Sequence, residues 1–287
     1  MTVIFTLFAL LLALLATLLL LSAGLFALSV VLSFSIAWYE RIGSDPAVAG
    51  DRRPRLAARL MLAEFCALLL TLLLRPFGWL PPRLPRGPTR RPPVILLHGL
   101  FQNRSCLLFL HWRLRRAGFD RVIGINTPSW CTLDELVDRL AITVEAVRRA
   151  GGGKVCLVGH SMGGILARCY LQQRGGAPHV THCVTIGSPH HGSKLAPFAV
   201  SRLGRDLLPG SELLTRLNAG PLPDGVRFTA VHSRHDNIIV PADSARLEGA
   251  DNIELTEIGH AAMLFSPRVA EAVATALQEA PGVDIHT

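Results

Sequence analysis

The chain has 287 residues, half of them apolar and 17% charged, with a formal charge of +8 at pH 7. That composition excludes a disordered chain, and the length suits one large domain with an accessory segment. The charge is uneven. Residues 1–91 hold ten arginines and four acids, whereas residues 92–287 hold nineteen basic and seventeen acidic residues. The excess therefore flanks a hydrophobic N-terminus, where juxtamembrane arginines lie, and no basic stripe or module argues for nucleic acid.

From Val3 to Tyr39 there is no charged residue. As one helix this run is about 55 Å long, against a hydrocarbon core of about 30 Å. It must tilt, extend past the membrane or bend, and Ser22-Ala23-Gly24 is where a bend into a helical hairpin fits. A cleaved signal peptide fits poorly, because no Lys or Arg precedes the run and the run is too long. A second apolar stretch, Leu60 to Leu74, contains Glu64 and is short for a span. It reads as a short span extended by its flanks, an interfacial helix or a helix packed on the first segment; a membrane-associated helix is favoured and a second span left open, so that residues 1–75 form a membrane-associated region. Arginines stand on both sides of it (52, 53, 55 and 59; then 75, 83, 86, 90 and 91), so they give no orientation. Residues 76–92, rich in Pro and Arg, read as an extended linker.

The catalytic unit is expected over residues 93–287. "PVILLHGL" (93–100) and "RVIGINTPS" (121–129) read as buried strands. The helical pattern that follows starts with Thr132 as cap and Glu135 three residues on, and ends in glycines. "KVCLVGHS" is the next strand, followed by a helix from Met162. "HCVTIGSP" (182–189), "RFTAVHS" (227–233) and "IELTEIGH" (253–260) read as three more strands, and residues 266–280 as a last helix. Strands alternating with helices imply a mostly parallel sheet covered on both faces.

The stretch "VCLVGHSMGGILARCY" (155–170) carries the chemistry. A buried strand, a Gly-x-Ser-x-Gly turn and a helix form a nucleophile elbow, which lifts the serine hydroxyl above the sheet edge. Gly159 and Gly163 let the chain pack closely there, and the helix start behind Ser161 favours developing negative charge. A serine hydroxyl needs a base, and the base needs an acid to orient it. In this architecture the chain order is nucleophile, acid, histidine. Asp236 follows one strand and His260 follows the last, both at carboxyl ends, where open α/β sheets keep their sites. Asp224 and Asp243 are the competing acids, with turn and surface roles as their plainer readings. The oxyanion hole needs two backbone N–H groups: one from Met162 and one from Leu100, with Phe101 and Gln102 as alternatives if the turn is shifted. His98 and His160 flank tight turns and read as shaping groups, and His232 and His235 as neighbours of the acid loop. His190 and His191 lack the acid spacing of a metal site. The six cysteines form no metal spacing, and Cys156 and Cys183 read as small buried hydrophobes.

The motifs "HGL", "GHSMGG", "SRHDNIIVPADSARLEGADNIEL" and "IGHAAMLFSPRV", with "TIGSPHHGS" (185–193), resemble the α/β-hydrolase fold and, within it, compact bacterial triacylglycerol lipases and esterases. The resemblance covers about residues 93–280. It implies Ser161, Asp236 and His260 as the triad, with Leu100 and Met162 as oxyanion donors. The chain departs from it in the long N-terminus and in an insertion at about 193–224, which reads as a cap of two short amphipathic helices around a Pro-Gly turn. The expected protein is a membrane-anchored serine hydrolase acting on carboxylic esters, lipid or acyl esters by preference, with no cofactor and no metal. Its expected partners are the ester substrate and a membrane, the bacterial inner membrane. A thioesterase or acyltransferase with the same triad, or a non-catalytic membrane scaffold on this fold, stays open.

Overall fold

The structure, a computed structural model, describes residues 2–44, 54–80 and 89–278. Arginines 52, 53, 83 and 86, and residues 81–88 of the expected linker, lie outside the described residues.

Six strands form one parallel sheet: β1 (Val94–Leu97), β2 (Val122–Ile125), β3 (Val155–His160), β4 (Val180–Ile186), β5 (Arg227–Ser233) and β6 (Asp251–Leu255). Their spatial order is β2-β1-β3-β4-β5-β6. Because alternate residues point to opposite faces, β1 feeds two cores. Ile95 and Leu97 pack with Leu136, Leu140 and Val144 of α4 (Leu133–Val147) and with Ile165 and Leu166 of α5 (Met162–Gln173). Val94 and Leu96 pack with Leu110 and Leu114 of α3 (Leu108–Arg116) and with Val269 and Val273 of α8 (Pro267–Gln278). Burial on both faces accounts for strands that read as unbroken apolar runs rather than alternating ones. Thr132 caps α4 in a full capping box with Glu135. The cap region holds α6 (Arg202–Asp206) and α7 (Glu212–Ala219) on either side of Pro209-Gly210, with Leu203, Leu207, Leu213, Leu214 and Leu217 turned into the first core.

The N-terminal region differs from expectation in three ways. First, α1 is one helix, Thr2–Ser44, which runs unbroken through Ser22-Ala23-Gly24 and is about 65 Å long, so there is no hairpin. Helix propensity tolerates small residues that meet no opposing side chain, and nothing lies within 4 Å of a Cβ built on Gly24. Second, α2 (Pro54–Leu74) does not stand apart. It packs on α1 through Val30, Phe34 and Leu60, and its buried Glu64 accepts the backbone N–H groups of Ala261 and Ala262 in the sheet domain. Third, Arg75–Trp79 is a 3-10 turn rather than extended linker, because the Gly78 carbonyl accepts Arg104 Nε at 3.2 Å and Asn126 Nδ2 at 3.0 Å. Ion pairs join Glu40 to Lys194 and Arg59 to Glu257 across the same boundary. By length and composition alone, both helices are long and apolar enough to cross a membrane. Along α1, Ile4 to Leu21 are exposed, whereas Val30, Ser33, Phe34 and Ala37 are buried.

Candidate active site

In this strand order the direction reverses at β1, which pairs with β2 on one side and β3 on the other. The crevice of an open α/β sheet forms at such a switch point, outside the carboxyl ends of the strands. The loops that meet there are Gly99–Gln102 after β1 and Ser161 after β3.

Ser161 has φ 55° and ψ −125°, a backbone state that costs a non-glycine residue on the order of 1–3 kcal/mol. Local bonds hold it: its N–H donates to the Ile186 carbonyl at 2.8 Å, and its carbonyl accepts the Gly164 N–H at 3.1 Å. The flanking glycines are required by close approach. A Cβ on Gly159 would lie 2.4 Å from the backbone of Gly163 and Gly164, and one on Gly163 would lie 2.5 Å from the Leu97 carbonyl oxygen. The elbow is therefore wedged between β1, β3 and α5. Ser161 retains 9% exposure, on a cavity of about 400 Å³.

His260 Nδ1 stands 2.9 Å from Asp236 Oδ2. Asp236 Oδ1 accepts the backbone N–H of Ile238 at 2.8 Å and of Ile239 at 2.9 Å. Both carboxylate oxygens are thus occupied and the side chain is fixed. Burial opposes an imidazolium at His260. The charge and hydrogen bond of Asp236, and the charge of Glu64, outweigh that and hold its pKa above the ordinary value. His260 and Ser161 line the same cavity, with Asp236 behind the ring.

The remaining histidines fall into supporting places. His160 packs its ring 4.7 Å from that of His260, and its Nε2 lies 3.2 Å from the His260 carbonyl oxygen. Burial, then His260, keeps its pKa well below the usual range. His98 accepts the Thr127 N–H at Nε2 (2.9 Å), while Nδ1 stands 2.8 Å from the Gly99 carbonyl oxygen, which fixes the neutral tautomer with its proton on Nδ1. Burial lowers its pKa to about 4. This ring ties the β1 loop to the end of β2. His190 lies between Thr185 Oγ1 (3.0 Å) and Arg168 Nη1 (3.3 Å). His232 and His235 lie beside the acid loop, with His235 Nδ1 accepting the Glu257 N–H. Among the described residues, no group of three His, Cys, Asp or Glu is placed to hold a metal.

At the oxyanion position, the Met162 N–H is the first of α5 and has no intrahelical acceptor. The alternative donor Phe101 is removed from contention, since its N–H donates to Ser129 Oγ at 2.8 Å. Leu100 lines the cavity with Ser161.

Residues that the sequence gave no reason to place here complete the cavity. Phe26, Val30 and Ser33 of α1, and Glu64, Leu68 and Leu72 of α2, form one wall. Asn237 Oδ1 accepts the His260 N–H at 2.9 Å, and its Nδ2 donates to Ser33 Oγ at 2.8 Å. The only sequence signal for any of them is Glu64, a lone charge inside an apolar run.

A model of the PGAP1-like alpha/beta domain matches residues 135–201, the stretch that carries the elbow. The mature form of a Bacillus licheniformis lipase superposes with a TM-score of 0.60 at 19% identity, over 70% of this chain and 98% of that one. Aspergillus fumigatus lipase B gives 0.61 at 19% identity over 71% of this chain, which spans only 57% of that protein. A Paleococcus ferrophilus monoacylglycerol lipase gives 0.53 at 17% identity, over 69% and 100%. The chain has the α/β-hydrolase fold, which it shares with these three lipases.

Proposed function

We propose that the chain is a membrane-anchored serine hydrolase of carboxylic esters, with lipid or acyl esters as its substrates. The single observation that carries this reading is the 2.9 Å contact of Asp236 with His260, whose ring lines the same cavity as the elbow serine. Ser161 Oγ attacks the ester carbonyl while its proton passes to His260 Nε2. The tetrahedral oxygen is held by the N–H groups of Met162 and Leu100. Collapse expels the alcohol, which takes the proton from His260 and leaves an acyl-enzyme. Water, deprotonated by His260, then attacks the acyl carbonyl and releases the acid and free Ser161. Asp236 holds the ring in the required tautomer and stabilises the imidazolium.

The preference for lipid esters is supported by the cavity wall. At about 400 Å³ it falls within the range of small-molecule sites. Phe26, Val30, Leu68, Leu72, Leu195 and Leu207 give it apolar sides. α1 continues from this wall into an exposed stretch, Ile4 to Leu21, that is free of charge, which suits an anchor in hydrocarbon. In this reading the exposed part of α1 is the anchor, while α2 lies along the catalytic unit.

Hydrolysis of p-nitrophenyl esters of increasing chain length tests the proposal. We expect turnover to rise from acetate towards longer acyl chains, with free acid as the product. No turnover by the folded chain at any length refutes the hydrolase reading, and a maximum at acetate refutes the lipid preference.

A further inference from the structure

Glu64 lies midway along α2 with 1% exposure. Its Oε1 accepts the backbone N–H of Ala261 at 2.8 Å, and its Oε2 accepts that of Ala262 at 3.0 Å. These are the two residues that follow His260, at the start of a 3-10 turn, Ala261–Phe265. The seat is tight on the other side as well, since a Cβ on Gly259 would lie 2.5 Å from Oε2. A carboxylate from the N-terminal region therefore grips the backbone immediately after His260. A second tie runs from α1 through Ser33 and Asn237 to the His260 N–H.

A carboxyl group is a costly choice for packing a helix against a sheet domain, because burial penalises its charged form. A leucine would fill the space and leave the two N–H groups without an acceptor. What the carboxylate adds is two acceptors in a fixed place and a negative charge beside the imidazole.

We propose that Glu64 is a positioning residue of the active site, its carboxylate holding the backbone that follows His260 and lining the same cavity as the imidazole. The proposal rests on the Ser161–His260–Asp236 reading above. Its consequence is that the N-terminal helices are part of the catalytic unit, so the site forms only with α2 docked. The titratable groups that face His260 are Asp236 on the loop after β5, Glu64 on α2 and His160 on the elbow. Burial raises the Glu64 pKa from its ordinary value, while the Ala261 and Ala262 N–H groups and the charge of His260 pull it back down.

The test uses the full-length chain in detergent micelles, comparing wild type with Glu64→Gln, which keeps the shape and one acceptor but removes the charge. The readouts are kcat/KM for a p-nitrophenyl ester and the rate of labelling by a fluorophosphonate probe, each across pH 4–9. For Glu64→Gln we expect a plateau lowered about tenfold and an acid limb moved to lower pH by about half a unit or more, because loss of a nearby negative charge destabilises the imidazolium. A wild-type profile in the variant overturns the proposal. A lowered plateau with an unmoved acid limb also overturns it, since lost packing alone would do that. If Glu64→Gln fails to fold, Glu64→Asp carries the test: the shorter side chain draws the carboxylate back from the Ala261 and Ala262 N–H groups and from the ring, so the plateau should fall and the acid limb should move to lower pH, and a wild-type profile or an unmoved acid limb overturns the proposal. A folded wild type that neither labels nor turns over ester removes the hydrolase reading and this proposal with it, whereas an active wild type with an unaffected variant removes only this proposal.

Discussion

Replacing Asp236 by asparagine separates the roles of charge and shape at this site. Oδ1 of Asp236 accepts two backbone N–H groups, from Ile238 and Ile239. In the asparagine variant the amide oxygen must keep that place, because the NH2 group cannot face two donors. The NH2 is then forced to the position of Oδ2, 2.9 Å from His260 Nδ1. A donor there requires a bare Nδ1, so the ring proton moves to Nε2, the nitrogen that has to accept the Ser161 proton. The ring is locked in the wrong tautomer while its place in space is preserved. We expect kcat/KM to fall about 10 000-fold, or about 5 kcal/mol in the barrier, with little change in thermal stability. The remaining activity should rise at high pH, where hydroxide substitutes for the missing base. Steady-state hydrolysis of a p-nitrophenyl ester, beside a melting curve of the same preparation, provides the assay. A variant that stays folded with kcat/KM within tenfold of wild type would refute the assignment of Asp236 as the orienting acid.

Two further outcomes follow from the buried polar groups. Arg168, on α5, is 1% exposed and donates to Gln172 Oε1, the Leu217 carbonyl and Asn218 Oδ1, tying the cap helix α7 to the sheet domain. Arg168→Met keeps the stem but removes its bonds to Gln172, Asn218 and the Leu217 carbonyl, the last of which keeps Gln172 Nε2 at 2.9 Å; at a cost of about 2 kcal/mol it should lower Tm by about 4–8 °C, and a shift below 2 °C contradicts the network. His98 has a folded pKa of about 4 against an ordinary value of 6.5, so between those values the unfolded chain binds the proton and the folded chain does not. Its contribution is full above pH 6.5 and is lost as pH falls towards 4, on the order of 3 kcal/mol. His182, lowered to about 4 by burial, acts in the same direction. The urea midpoint should therefore drop between pH 7 and pH 4.5, and an unchanged midpoint would contradict the buried neutral rings.

What could be read from the sequence was what is encoded locally. The elbow is written in sixteen consecutive residues, Val155 to Tyr170, as a change of period from strand to helix around glycines whose Cβ atoms would strike backbone. Asp236 and His260 could be named because strand ends and chain order restrict where partners of a serine can stand. Thr132 and Glu135 announced α4 through a contact three residues long. What escaped was long-range. Glu64 meets Ala261 across 197 positions, and Asn237 meets Ser33 across 204, and no periodicity reports such pairs. The same apolar run that gives α2 its helix hides the fact that one of its faces docks on the hydrolase unit. Helix α3 went unread although Leu110 and Leu114, four residues apart, mark the face that it buries against the sheet. Of the three courses open to the N-terminal run, the bend at Ser22-Ala23-Gly24 is not taken, because one serine and one glycine lower helix propensity only modestly and the alanine between them favours the helix.

The central claim is that Ser161 is a nucleophile activated by His260. Peptide mass spectrometry after treatment of the full-length chain with a fluorophosphonate tests it most directly. The account predicts a stoichiometric adduct on Ser161 in wild type and none anywhere in Ser161→Ala. An unmodified Ser161 in folded wild-type protein, or an adduct on a different serine, would contradict it.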